Sequence, residues 1–128
     1  MAHILVLESD KLLAASLKSY LKAANHTVSV HNDPQAAVLG ADKQRPDVVI
    51  TELLLAGRSG VEFLYEFRSY PDWQGISVIV FTSMSKQELA AYQEVLLELN
   101  VQKYFYKPTT NLTQLAASLD QCLALIPA

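Results

Sequence analysis

Seven polar residues of the types that bind phosphoryl groups or metal ions follow short apolar segments of the chain. In chain order they are Glu8, Ser9, Asp10, Glu52, Thr82, Ser83 and Lys107. Transfer of a phosphoryl group needs partners of these kinds: a carboxylate acceptor, acids that hold Mg²⁺, a hydroxyl donor and a cation. One such residue after a strand is ordinary in any α/β protein, so the indication of a site comes from the whole set.

The apolar segments that precede these residues are short and continuous. Residues 4–7, 48–51 and 76–82 are the strongest, and residues 28–31 and 101–106 are weaker. Continuous apolar runs of this length favour strands that are covered on both faces, as in a parallel sheet.

Longer amphipathic segments separate these strands. Leucine recurs every four residues over 13–21, and apolar residues recur at spacings of three and four over 89–99 and 112–126. Each pattern predicts a helix with one apolar stripe that faces a sheet. Cys122 falls in the last stripe, so we expect its thiol to be buried.

Capping residues mark several helix ends. The pairs at helix starts are Asp33 with Pro34, Ser59 with Glu62, and Ser85 with Glu88. The first pair predicts an N-cap followed by proline at the first helical position, and the other two predict capping boxes. Asn100 stands where a left-handed residue would end the fourth helix.

The predicted order of elements is βαβαβαβαβα. This alternation predicts an α/β fold with a doubly wound, five-stranded parallel sheet and helices on both faces. Ligands bind beyond the carboxyl ends of the strands in such sheets, which is where the seven polar residues would converge. We expect one domain over residues 1–128, with no output domain in this chain.

The composition argues against several classes of protein. Ten basic and thirteen acidic residues give a net charge of −3, without the basic stripe of a nucleic-acid-binding surface. No apolar run approaches the roughly 20 residues that span a membrane. The single cysteine cannot form an internal disulfide, and the three histidines lack metal-ligand spacing. These features predict a cytoplasmic protein.

Five segments, in this order, resemble the receiver domain of bacterial two-component response regulators, the family of the chemotaxis receiver proteins. They are residues 4–10 (ILVLESD), 46–52 (PDVVITE), 55–60 (LAGRSG), 78–83 (VIVFTS) and 104–108 (YFYKP). The resemblance implies a flavodoxin-like (βα)5 fold with strand order 2-1-3-4-5. It also implies that helices one and five lie on one face of the sheet and helices two, three and four on the other.

The resemblance implies roles for the acidic residues, with two departures from the family pattern. Glu52 stands where the family has its phosphoaccepting aspartate, and Glu8 and Ser9 stand at the acidic pair that binds Mg²⁺. Glutamate is one methylene longer than aspartate, and misplacing a nucleophile by about 1 Å costs about a hundredfold in rate. Ser9 removes one charge, so Glu8 and Glu52 would form only a weakened Mg²⁺ site. No other cofactor is expected.

Three further residues match switch and phosphate-contact positions of the family, namely Thr82, Tyr104 and Lys107. We expect the longer Glu52 carboxylate to occupy the position of a phosphoryl group and to pair with Lys107, the one nearby cation. If Glu52 also attracts Thr82, Tyr104 would turn inward as in an activated receiver.

These departures predict a receiver-like signalling domain, not an enzyme, that acts through protein contacts without efficient phosphorylation. The expected partners are a histidine kinase, a phosphotransfer protein or a downstream effector bound through helix 4, strand 5 and helix 5. No direct contact with nucleic acid or membrane is expected. Two alternatives stay open: a receiver still phosphorylated by a histidine kinase, and a small cofactor-binding or enzymatic α/β domain. The sequence contains neither a P-loop nor a G-x-S-x-G elbow, two motifs that would support the second alternative.

Overall fold

A computed structural model describes residues 2–101 and 103–126 of the chain. The strands are β1 (His3–Leu7), β2 (Thr27–His31), β3 (Val48–Thr51), β4 (Leu54–Leu55), β5 (Arg58–Ser59), β6 (Ser77–Thr82) and β7 (Lys103–Tyr106). The α-helices are α1 (Lys11–Ala23), α2 (Pro34–Lys43), α3 (Gly60–Ser69), α4 (Lys86–Leu89), α5 (Gln93–Glu98) and α6 (Leu112–Ala124). Short 3₁₀ turns cover Pro71–Trp73, Ala90–Tyr92 and Lys107–Thr109.

The main sheet is parallel, with strand order β2-β1-β3-β6-β7. Because β4 and β5 form a separate antiparallel hairpin, this is the expected order 2-1-3-4-5 of the five main strands. Each expected strand is present within one or two residues of its expected bounds. Gln102, inside the expected fifth strand, lies outside the described residues.

Two apolar cores cover the two faces of the sheet. One contains side chains of α1 and α6, including Leu17, Leu115 and Cys122. The other contains side chains of α2, α3 and α5, including Phe63 and Leu96. This confirms the expected division of the helices, and it explains why the central strands are apolar at nearly every position. Cys122 is buried, as its place in the stripe predicted.

Helix starts follow the predicted caps in two of three cases. Asp33 accepts a hydrogen bond from the N–H of Ala36, and the capping box of Ser85 with Glu88 is complete. The box predicted for Ser59 with Glu62 is wrong, because the Ser59 hydroxyl accepts from the N–H of Val61 at 3.1 Å. The physical reason is that the Ser59 hydroxyl accepts from the second N–H of α3, whereas a capping box needs the third, which belongs to Glu62.

The predicted fourth helix is interrupted. A 3₁₀ turn separates α4 from α5, and Tyr92 takes the non-helical backbone angles φ −106° and ψ 0°. The tighter turn changes the rotation between successive side chains, so Leu96 is buried whereas Tyr92 is 38% exposed. Asn100 ends this region with φ +59°, as predicted.

The last apolar stripe is one position shorter than predicted. Helix α6 ends at Ala124, and Ile126 beyond it is 43% exposed. Leu115, Leu119 and Cys122 are buried in the core, and Leu112 is partly buried against it.

Candidate functional site

The register of the sheet brings the predicted polar residues to one edge. Leu7 pairs with Thr51 on the neighbouring strand, so Glu8 and Glu52, one residue further along, are also neighbours. Thr82 pairs with Tyr106, so Lys107 follows at the level of Ser83. Side chains from four consecutive strands of the sheet therefore meet where parallel α/β sheets bind ligands.

Both glutamates are buried at this edge. Glu8 is 4% exposed and Glu52 is 2% exposed. A buried carboxylate is costly unless it is paired and hydrogen-bonded. The contacts of these two side chains therefore decide what the site can do.

Lys107 bridges the two carboxylates. Its Nζ lies 2.7 Å from Glu8 Oε1 and 2.8 Å from Glu52 Oε1, which confirms the expected ion pair with Glu52. Burial would lower the pKa of Lys107, but hydrogen bonds and charge from Glu52 and Glu8 outweigh it and raise that pKa. The same ammonium lies 5.9 Å from the centre of the Phe81 ring. Lys107 is therefore held as a cation between two anions.

The Glu52 carboxylate accepts hydrogen bonds on both oxygens. Oε1 accepts from the N–H of Ser83 at 3.0 Å and from its hydroxyl at 3.2 Å, in addition to Lys107. Oε2 accepts from the N–H of Leu53 at 2.6 Å and from that of Leu54 at 3.1 Å. Burial would raise the pKa of Glu52, but Lys107 and the surrounding hydroxyl and amide donors lower it. Glu52 is therefore an anion surrounded by donors.

The remaining predicted acid does not join this cluster. Glu8 Oε2 accepts from the N–H of Asp10 at 3.0 Å. The Asp10 carboxylate caps α1 instead, accepting from the N–H groups of Leu12 and Leu13. Ser9 is partly exposed beside the cluster.

Thr82 lies beside the Glu52 carboxylate, where its hydroxyl helps to lower the pKa of Glu52. Its Oγ1 also accepts a hydrogen bond from the N–H of Met84 at 3.0 Å, and a second hydroxyl, that of Ser83, donates to Glu52 at 3.2 Å. Tyr104 is partly buried against the core of α2, α3 and α5, and its hydroxyl donates to the carbonyl of Val101 at 3.4 Å. The contact between Glu52 and Thr82 agrees with the first step of the expected switch, and the inward turn of Tyr104 stays a prediction.

The carboxylates of Glu8 and Glu52, with the contacts they make, do not fit the needs of Mg²⁺. Mg²⁺ needs oxygen ligands with free lone pairs in near-octahedral geometry. Glu8 and Glu52 instead share one ammonium, and each also accepts hydrogen bonds from backbone N–H groups. Among the described residues, no three His, Cys, Asp or Glu side chains group as metal ligands.

Two parts of the site are not evident from the sequence. Ser83 was in the set of rim residues, but nothing in the sequence showed that its hydroxyl would donate to Glu52. The backbone N–H groups of Leu53 and Leu54 carry no side-chain signal at all. A tight turn after a strand points successive N–H groups at the side chain that precedes it. An acidic residue followed by a turn and a hairpin is therefore the pattern that could have indicated these N–H donors.

The sequence of residues 4–120 matches the family model of the response regulator receiver domain. The chain belongs to this family. This receiver domain is 28% identical over 85 residues to the probable transcriptional regulatory protein TcrX of Mycobacterium tuberculosis, a match that covers 66% of the chain and 36% of TcrX. It is 26% identical over 110 residues to the KDP operon transcriptional regulatory protein KdpE of Escherichia coli, covering 84% of the chain and 45% of KdpE.

The fold comparison agrees with the family. The receiver domain superposes on the chemotaxis protein CheY4 of Vibrio cholerae with a TM-score of 0.85 at 20% identity, covering 95% of this chain and 98% of CheY4. The chain spans less than half the length of the two curated relatives that it matches. Receiver domains of this family are signalling modules that interact with histidine kinases and effectors. No helix within residues 2–101 and 103–126 is long and apolar enough to cross a bilayer.

Proposed function

We propose that this receiver domain signals through protein contacts without efficient phosphorylation, with the Glu52 carboxylate in the place of a phosphoryl group. The observation that carries the proposal is the set of donors on Glu52: the Lys107 ammonium, the Ser83 hydroxyl and the N–H groups of Ser83, Leu53 and Leu54. These donors are of the kinds that stabilise a phosphoryl group. An internal carboxylate already satisfies them.

The same contacts oppose the role of Glu52 as a nucleophile. Attack on a phosphoryl donor needs a free oxygen lone pair placed about 3–3.5 Å from phosphorus. Each Glu52 oxygen is already engaged by at least two donors. Glu8 shares the Lys107 ammonium with Glu52, and Ser9 offers no carboxylate, so the negative charge that would hold Mg²⁺ beside the donor is reduced.

The proposed partner surface comprises α4, α5, β7 and α6. A cleft of about 310 Å³ opens there between the α4–α5 region and β7. Leu89, Tyr104 and Tyr106 line it together with Lys86, which combines aromatic and apolar area with one cation. Aromatic side chains are enriched among residues that dominate binding energy. A histidine kinase, a phosphotransfer protein or a downstream effector is the proposed partner class.

Intact-protein mass spectrometry after incubation with acetyl phosphate and Mg²⁺ tests the proposal. We expect the wild type to remain unmodified, because Glu52 is engaged and the metal site lacks a charge. The double variant with Ser9→Asp and Glu52→Asp should gain a phosphoryl group in part of the molecules. Stoichiometric phosphorylation of the wild type that Glu52→Gln abolishes would instead establish a receiver still modified at this position.

A further inference from the structure

A groove of about 390 Å³ lies between α1 and the β2–α2 segment, next to the Glu52 cluster. Its floor is made of small side chains, namely Ala14, Ala15 and Ala36, together with Val30. The three alanines leave the space open, because a larger side chain at any of them would extend into it. Pockets of a few hundred Å³ with an apolar floor and a few polar groups are typical of small-molecule sites.

Two lysines border this groove. Lys11 and Lys18 are seven residues apart, which is two helical turns, so they lie on the same side of α1 about 10 Å apart along its axis. Within residues 2–101 and 103–126, the ion pairs are those of Lys107, so neither groove lysine has an acidic partner there. These two lysines therefore place two positive charges, without acidic partners in the described part of the chain, along one side of the groove.

The acids near the groove are engaged elsewhere. Asp10 caps α1 and Asp33 caps α2, each through hydrogen bonds from backbone N–H groups. Glu8 lines the groove but pairs with Lys107. Ser9, also in the lining, is neutral at a position where a carboxylate would repel an anion.

We propose that this groove binds a small organic phosphate and that its occupancy is an input to the Glu8–Lys107–Glu52 cluster. The phosphate group is recognised by Lys11 and Lys18, and the compact organic part rests on the alanine floor. Glu8 is the physical link, since it belongs both to the groove lining and to the ion pair with Lys107. The proposal that occupancy of the groove acts on this cluster rests on the proposed function, because a receiver that is not phosphorylated needs another signal.

Titration followed by two-dimensional ¹H–¹⁵N NMR tests the proposal with two probes, adenosine 5′-monophosphate and ribose 5-phosphate, at constant ionic strength. Adenosine and ribose are the matched uncharged controls. We expect saturable shifts of the Ala15 and Asn32 amides with at least one phosphate, with a Kd of about 1 mM or tighter, and none with the controls. The Leu53 and Ser83 amides, which contact Glu52, should shift along the same binding curve.

Substitutions assign the binding to the groove. The double variant Lys11→Gln with Lys18→Gln should weaken binding by about tenfold or more, since two cations near a dianion are lost. Ser9→Asp should weaken it several-fold by like-charge repulsion. Lys22→Gln, on the same helix but outside the groove, is the matched control and should leave the Kd unchanged.

Three results overturn the inference. They are the absence of saturable shifts up to about 10 mM of both phosphates, equal binding by the wild type and the lysine double variant, and binding without any change at Leu53 and Ser83. The last of these removes the input role. None of them bears on whether acetyl phosphate modifies the protein, so failure here is distinguishable from failure of the proposed function.

Discussion

At the scale of single residues, the site is a balance of two buried carboxylates against one ammonium. Glu8 and Glu52 carry two negative charges and Lys107 carries one positive charge. The remaining negative charge is stabilised by N–H and hydroxyl donors, which are strong partners for a carboxylate. The stability of this arrangement therefore depends on Lys107 more than on either acid alone.

Replacing Lys107 by methionine should destabilise the protein by about 3–5 kcal/mol at pH 8, because it leaves two buried carboxylates without a counterion. Without Lys107, burial would raise the pKa of Glu52 in the folded variant above that in the unfolded chain. Protonation would then favour the folded state, so the deficit relative to the wild type should shrink as the pH falls toward 5. Urea unfolding of both proteins at the two pH values measures this. A deficit that is small at pH 8, or that grows on acidification, would contradict the argument.

At the scale of secondary-structure elements, the start of α3 must approach the end of β3 closely. A Cβ atom at Gly60 would lie 2.0 Å from the carbonyl oxygen of Glu52 and 2.8 Å from the Cα of Leu53. The N–H of Gly60 donates to the carbonyl of Leu53 at 2.9 Å, which fixes the approach. Because residue 60 is glycine, α3 can begin close to the turn at Leu53 and Leu54, whose N–H groups donate to Glu52.

Gly60→Ala should destabilise the protein by about 1–3 kcal/mol, since the added methyl group meets backbone that cannot move without disturbing Glu52. Gly75→Ala is the matched control, because a Cβ there meets nothing within 4 Å. It should change the free energy of unfolding by less than about 1 kcal/mol. Thermal unfolding of the two variants compares them, and equal losses would show that the close approach at Gly60 is not restrictive.

A second contact between elements is made by the buried guanidinium of Arg68, near the end of α3. It donates to the carbonyls of Leu99 and Asn100 after α5, and to those of Trp73 and Gln74 at the end of a 3₁₀ turn. Burial lowers the pKa of the Arg68 guanidinium. Carbonyls at helix ends carry partial negative charge, so one cation connects the ends of three elements.

Arg68→Met should therefore cost about 3 kcal/mol of stability, because several buried carbonyls would lose their donors. Arg68→Lys should recover little, since an ammonium cannot reproduce the forked geometry of the guanidinium. Arg58→Met, at the exposed hairpin, is the control and should be nearly neutral. Chemical denaturation of the three variants gives the comparison, and full rescue by lysine would disprove the geometric argument.

At the scale of the whole molecule, two histidines and one glutamate shape the dependence of stability on pH. Burial lowers the pKa of His3, against an opposing effect of Asp47, and burial together with His3 lowers that of His31. Histidines of this kind bind fewer protons in the folded than in the unfolded state. Glu52 also has a lowered pKa, which stabilises the folded state above its ordinary value of 4.5.

The free energy of unfolding should therefore fall in two stages as the pH decreases. The first stage follows the protonation of unfolded histidine near pH 6.5, and the second begins below pH 4.5 as unfolded Glu52 takes up a proton. Urea titrations at intervals from pH 8 to pH 3.5 measure both stages. The double variant His3→Gln with His31→Gln should lose the first stage only, and an unchanged slope between pH 7 and pH 5 would refute this assignment.

The resemblance to the receiver family implied the strand order and the division of the helices between the faces of the sheet. Periodicity and strand-end chemistry in the sequence predicted the parallel sheet, its helices and the pairing of Lys107 with Glu52. These features depend on signals that are local and repeated: continuous apolar runs, helical spacing, and charges placed directly after strands. For the same reason, Asn100 and the capping box at Ser85 were correctly predicted from a few adjacent residues.

Only the tertiary structure decided which groups contact Glu52 and how the neighbouring elements end. Ser83 donates to Glu52 through both its hydroxyl and its N–H, because the direction of these groups at a strand end depends on the turn that follows. The N–H donors of Leu53 and Leu54 arise from a hairpin that has no side-chain signature. Backbone groups are the same at every residue, so their convergence on one carboxylate comes from folding and not from residue type.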